Sequence, residues 1–365
     1  MRTQPGLTNP LASDLDHILK YTEGLWEDIR GKRLFITGGT GFFGSWLLES
    51  FAWANDKLNL NASALVLTRN HNTFKEKAPH LAENPAIQFH RGDIRTFTYP
   101  KGDFSHIIHA AATSARATFN HEDPLVKFDT VVQGTRHTLD FAVHCHARKF
   151  LLTSSGAVYG RQPSSMPTIP EEYEGAPCPD DMNAAWGESK RAAEFLCAYY
   201  SRRYGIETKL TRCFSFVGPY LPLDIHYAIG NFIQDGLNGG PIKVNGDGTP
   251  YRSYLYAADL TIWLWTILFK GSSCRPYNVG SEHAVSIAEL ARTVADCFPK
   301  KMAVKIAESP DPNKPPQRYV PSTKRAREEC GVRQIIGMEE GIRKTICYAQ
   351  SLHSRCIDQS GSRAL

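Results

Sequence analysis

The most constraining stretch is Leu34-Phe35-Ile36-Thr37-Gly38-Gly39-Thr40-Gly41-Phe42-Phe43-Gly44, followed by Ser45-Trp46-Leu47-Leu48-Glu49-Ser50-Phe51 in helical rhythm. An apolar run enters three glycines spaced three apart, Gly38, Gly41 and Gly44, and an amphipathic helix leaves them. This is the pattern of a buried strand, a tight turn and a helix N-terminus, whose free backbone N–H groups and dipole suit a pyrophosphate. Thr40, Phe42 and Phe43 fall within the turn and the first helical turn and join the glycines as candidate dinucleotide contacts. The spacing is G-x-x-G-x-x-G, not the general G-x-G-x-x-G.

Strand-like runs recur at Leu34–Thr37, Ala64–Thr68, Ile87–His90, His106–His109, Phe150–Ser154, Thr208–Arg212 and Tyr277–Gly280. Helical patterns lie between them, at Phe43–Trp53, Pro124–Ala147 and Trp186–Tyr204. Alternation of this kind predicts right-handed crossovers and a Rossmann-like, doubly wound parallel α/β sheet of about seven strands. The expected organisation is a helical extension over 1–30 and a dinucleotide-binding domain over 31–215, with 276–298 returning to it. A smaller substrate lobe over 216–350 and a flexible polar tail over 351–365 complete the chain.

Composition narrows the function. The 365 residues are 42% hydrophobic and 22% charged, ordinary globular values. Net charge is +5 without a long basic run, which favours a small anionic ligand and argues against nucleic acid. Nine scattered cysteines lack any C-x-x-C pair, so reduced thiols are expected, with neither a disulfide framework nor a zinc ribbon. His144-Cys145-His146 is set aside as a metal cluster, because i and i+2 positions on a helix point apart. The apolar run Ile262–Phe269 is too short to span a bilayer, and Met1–Pro10 is polar, so a cytoplasmic location without membrane attachment is expected.

Further candidates follow the strands. Arg69 stands after the second strand, where an acidic residue would bond ribose hydroxyls and an arginine accepts a 2′-phosphate, so it favours NADP over NAD. Asp93 and Ile94 follow the third strand, with Asp93 placed for an adenine amine. Ala110 and Ala111 follow the fourth, small enough for close backbone approach to a pyrophosphate or ribose.

Taken in order, these features resemble the extended short-chain dehydrogenase/reductases, specifically the nucleotide-sugar epimerases and dehydratases. The resemblance covers about residues 31–350. It rests also on Ser154–Gly160, Trp186-Gly187-Glu188-Ser189-Lys190, Arg212–Pro219, Gly246-Asp247-Gly248 with Arg252, and Tyr277–Gly280. It implies a nucleotide-diphosphate sugar as substrate, NAD or NADP recycled within each turnover, and a homodimer through the helices near 124–147 and 186–204.

It further implies that Ser155 bonds the reacting oxygen and that Lys190 holds the nicotinamide ribose and lowers the pKa of a catalytic tyrosine. Phe214 lies near the nicotinamide, Ser215 stands where an Asn is common, and Arg252 and Arg318 clamp the diphosphate. The tyrosine position of Y-x-x-x-K is Trp186, whose indole N–H donates a hydrogen bond but does not titrate as a base. Either Lys190, Ser155 or a tyrosine from elsewhere takes the proton, or the protein binds its ligand with impaired chemistry. Gly156 and Ala157 stand where related 4,6-dehydratases carry an Asp and a Glu, and the decarboxylases also use a Glu nearby. The resemblance is therefore greatest to a 4-epimerase working through a transient 4-keto sugar, ahead of a dehydratase or decarboxylase.

Overall fold

The computed structural model describes residues 9–113, 122–225 and 227–361. Six of its strands are β1 (Arg33–Thr37), β2 (Ser63–Thr68), β3 (Ile87–Arg91), β4 (His106–His109), β5 (Lys149–Ser155) and β6 (Glu207–Cys213). With Pro276–Val279 they form one seven-stranded sheet in the order 276–279, β6, β5, β4, β1, β2, β3. Every pairing is parallel. Each strand matches its apolar run to within one residue, because helices cover both faces and leave no need for polar alternation. All seven residues of β5 are buried.

Strand order reverses between β1 and β4, where Thr37 pairs with His109. In open α/β sheets the crevice beyond the carboxyl ends at such a point is the usual ligand site. Thr37 leads directly into the glycine turn there.

Of residues 276–298, only Pro276–Val279 lies in the sheet. Helix Ile287–Asp296, started by a Ser286/Glu289 capping box, packs instead on helix Ala228–Leu237 of the C-terminal lobe. Its apolar stripe at Leu290, Ala291, Val294 and Ala295 is buried. At the other end of the chain, helix Ala12–Tyr21 lies on Ala257–Lys270, and buried Asp14 accepts hydrogen bonds from Tyr256 (2.7 Å) and Lys344 (2.8 Å). The last helix runs Met338–Gly361, through most of the stretch expected as a flexible tail. Among the described residues no helix is long and apolar enough to cross a membrane.

The Pro-rich connector at 309–316 delivers a two-residue strand, Arg318–Tyr319, parallel to Tyr251–Arg252. The chain then forms an isolated parallel bridge between Pro321 and Ile169. Ile169 N–H donates to Val320 O and Ser322 N–H donates to Ile169 O, both at 2.9 Å. Asn278 fixes the bridge, its Nδ2 donating to Ile169 O (2.9 Å) and Ser322 O (3.0 Å).

Candidate active site

The glycine turn is built by close backbone approach. Gly38 has φ +70°, and a Cβ there would stand 2.5 Å from the Ala110 carbonyl. A Cβ on Gly44 would stand 2.3 Å from Gly38 O and Gly39 Cα. On Gly41, by contrast, it would meet only Gly38 O at 3.3 Å. Gly41 is the N-cap of helix Phe42–Lys57 and supplies no side-chain cap, leaving the first-turn N–H groups for a ligand. Tight packing behind the turn and an exposed Gly41 in front fit a dinucleotide pyrophosphate.

The other cofactor candidates ring this turn. Thr40 and Phe42 are half-buried, and Phe43 sets its ring edge-on to Phe216 at 5.1 Å. Ala111 N–H donates to Thr37 Oγ1 (3.2 Å). Arg69 is exposed at the end of β2, next to Asp93 in charge terms. Asp93 accepts from Arg95 Nε at 2.9 Å, which holds its carboxyl below the ordinary range. Ile94 is buried against Gly134.

Ser155, 8% exposed, ends β5 and accepts the Ala157 N–H at 3.1 Å. Beside it runs helix Ala185–Tyr204. Gly187 permits the approach, since a Cβ there would stand 2.6 Å from Ala157 O. Lys190 is buried in this helix and donates to Thr153 O at 2.7 Å. Its Nζ lies 5.0 Å from the centre of the Trp186 ring, one turn earlier. Burial pulls the ammonium down to about 8, with the Glu194 carboxylate among the groups opposing the fall.

Phe214 covers the position after Ser155. A Cβ on Gly156 would stand 2.6 Å from Phe214 Cζ, so no carboxylate side chain fits there without displacing the ring. Ser215 is half-buried, and its carbonyl accepts the Leu255 N–H at 3.0 Å.

On the outer face of Phe214 lies Tyr319, ring centres 4.6 Å apart. Its hydroxyl is 3.4 Å from Ser155 Oγ and 3.5 Å from Cys213 O. Nothing in the sequence ties Tyr319 to Ser155, 164 residues away. Tyr159, far nearer Ser155 in sequence, is committed elsewhere, donating to Asn278 Oδ1 at 2.8 Å beneath the Arg212 guanidinium.

The register of the two short strands separates the two predicted arginines. Tyr319 pairs with Arg252 and Arg318 pairs with Tyr251. Directly paired residues share a face and successive residues alternate. Arg252 therefore stands on the Ser155 side, its guanidinium 6.0 Å from the Tyr319 ring centre. Arg318 is turned to the other face and lies 4.3 Å over Tyr251. Among the described residues neither arginine forms an ion pair. A cavity of about 250 Å³ opens beside Asn231, Phe232, Lys243, Gly246, Gly248 and Ile287.

Residues 34–280 match the NAD dependent epimerase/dehydratase family. A UDP-glucuronic acid decarboxylase of Arabidopsis thaliana is 32% identical over 311 residues, covering 85% of this chain and 86% of its own. Among solved structures, a UDP-glucuronic acid 4-epimerase from Bacillus cereus, in complex with UDP-glucuronic acid and NAD, aligns with TM-score 0.72 at 20% identity. It covers 88% of this chain and 99% of its own. A dTDP-glucose 4,6-dehydratase from Streptomyces venezuelae aligns with TM-score 0.71 at 23% identity, over 87% and 97%. The chain belongs to the NAD dependent epimerase/dehydratase family. Its relatives span three reactions, so the choice among them rests on its own site.

Proposed function

We propose that this protein interconverts nucleotide-diphosphate sugars at C4, as a 4-epimerase working through a transient 4-keto sugar. The observation carrying this reading is the closed position after Ser155. Elimination of a sugar hydroxyl needs an acid beside the ketone. Here that place is filled by Gly156 under Phe214, leaving hydroxyls and one buried lysine around the reacting oxygen.

Ser155 orients the sugar oxygen, and the buried Lys190 supplies a positive charge next to it. A nicotinamide dinucleotide, when bound, supplies reversible hydride acceptance. The turn at Gly38, Gly41 and Gly44 holds its pyrophosphate, Lys190 its nicotinamide-side ribose, and Phe214 walls the site. Arg252, free of any described carboxylate partner, offers its guanidinium fork to the sugar diphosphate. Arg318, from the opposite face, has the weaker claim. The cavity beside Asn231 and Lys243 is the place for the nucleotide base.

The dinucleotide is NADP in this reading, since Arg69 occupies the position of the ribose-binding acid. The assembly is a homodimer. Helices Pro124–His144 and Ala185–Tyr204 carry Leu125, Val126, Phe195, Tyr199 and Tyr204 exposed, with Phe195 at 69%. Five large apolar side chains on two adjacent helices form a patch that a second copy would cover.

Decarboxylation of a uronic-acid nucleotide is the second reading, favoured by the names of the curated relatives at about 30% identity. It shares oxidation at C4 and differs in product. Incubation with UDP-, GDP-, CDP- and dTDP-sugars, with product analysis by chromatography and NMR, tests both. An epimer supports the proposal, and loss of carbon dioxide from a uronic acid supports the second reading. The third possibility, a binding protein without turnover, predicts tight nucleotide-sugar binding and no product.

A further inference from the structure

Position 186 has no phenol, yet a phenol stands at the reacting centre. We propose that Tyr319, carried in by the lobe, is the acid/base residue that exchanges the proton of the sugar hydroxyl in place of the side chain at position 186. This rests on the nucleotide-sugar reading above.

The placement is specific. An oxygen hydrogen-bonded to Ser155 Oγ lies within reach of a hydroxyl 3.4 Å from that same atom. The tilted ring contact with Phe214 and the two-strand ladder with Arg252 aim the phenol at Ser155. Two backbone hydrogen bonds between Ile169 and the 320–322 segment hold the chain directly after Tyr319 in place. The other phenol in the neighbourhood, Tyr159, is held by Asn278.

In the oxidising half, the sugar O–H bond breaks and its proton passes to the Tyr319 oxygen. The adjacent C–H bond breaks with its electron pair leaving to the nicotinamide, the oxidant, and C=O forms. In the reducing half both transfers reverse on the other face of the ketone, and Tyr319 returns the proton it took. The cycle is neutral in protons and electrons.

Electrostatics makes this base different from a lysine-paired tyrosine. Burial pushes the Tyr319 phenol up to about 12, against the pull of the Ser155 hydrogen bond and the Arg252 charge. The reactive phenolate is therefore a minor form at neutral pH. The oxidation rate should rise about tenfold per pH unit from pH 6 to 7.5, below the range where Lys190, at about 8, loses its charge, as expected for a base titrating well above it.

The test uses the full-length protein with its dinucleotide, in four forms: native, Tyr319→Phe, Trp186→Tyr and both together. Removing the hydroxyl should lower kcat by about 100-fold or more. UDP binding, read by calorimetry, should stay within about threefold because the ring contact with Phe214 survives. In the Trp186→Tyr background a second phenol is present, so Tyr319→Phe should cost less than about tenfold there, and the steep pH slope should flatten. Retention of more than about a third of kcat in Tyr319→Phe overturns the proposal. So does turnover that appears only once Trp186→Tyr is made, which leaves the nucleotide-sugar reading intact. If neither native protein nor Trp186→Tyr converts any nucleotide sugar, the underlying reading fails and this proposal with it.

Discussion

Lys190 Nζ sits 5.0 Å from the centre of the Trp186 ring and donates to Thr153 O at 2.7 Å. The ammonium is thus buried against an indole where a catalytic phenol is usual in the family this chain resembles, and desolvation lowers it to about 8.

That depression has a stability consequence with a definite sign. Lys190 titrates near 10.4 in an unfolded chain and lower in the folded one. Between about 8 and 10.4 the unfolded chain binds more protons, so this group makes folding more favourable as pH rises through that window. Chemical denaturation of native protein and Lys190→Met at pH 7.5 and pH 10 checks it. The native protein should gain stability relative to the variant at the higher pH.

The ladder register gives unequal weight to two arginines that read alike in sequence. Arg252→Ala should weaken nucleoside diphosphate binding by about 10- to 100-fold, the value of one or two charge-assisted hydrogen bonds. Arg318→Ala, which removes a guanidinium stacked on Tyr251 on the far face, should cost about threefold or less. Calorimetry with UDP on both variants decides.

Cofactor choice turns on Arg69. Dinucleotide released by denaturing the purified protein should be NADP, and Arg69→Asp should shift preference to NAD by about tenfold or more, since an acid repels a 2′-phosphate. Recovery of NAD alone from the native protein contradicts this.

Paired Leu125→Asp and Phe195→Asp substitutions place charge in the exposed apolar patch on the two helices. The native protein should sediment as a dimer and the double variant as a monomer. Equal sedimentation of the two would remove the patch from the interface.

What was legible in the chain follows from which forces act locally. The sheet was readable because strands buried on both faces carry unbroken apolar runs, as in Phe150–Ser154. The glycine turn was readable because backbone crowding at Gly38 and Gly44 leaves no choice of residue. The Tyr319–Ser155 contact was not, since it joins residues 164 apart through a two-residue strand with no period to read. The same short strand decides which face Arg318 takes, a matter of one residue in register. The final helix was hidden by its polar composition: Ser351–Gly361 carries little apolar pattern, yet continues the helix begun at Met338. The absence of acids at 156 and 157 was visible, but its cause, the Phe214 ring lying on Gly156, needed the fold.

C4 chemistry on a nucleotide sugar without elimination leaves a distinct isotopic signature in the product. The most direct test is a single incubation of the purified protein with a panel of UDP-, GDP-, CDP- and dTDP-hexoses in deuterium oxide, followed by NMR of the products. Epimerisation by hydride withdrawal and return predicts a C4 epimer with no deuterium on carbon. A 4-keto-6-deoxy product carrying solvent deuterium would rule out C4 epimerisation in favour of elimination.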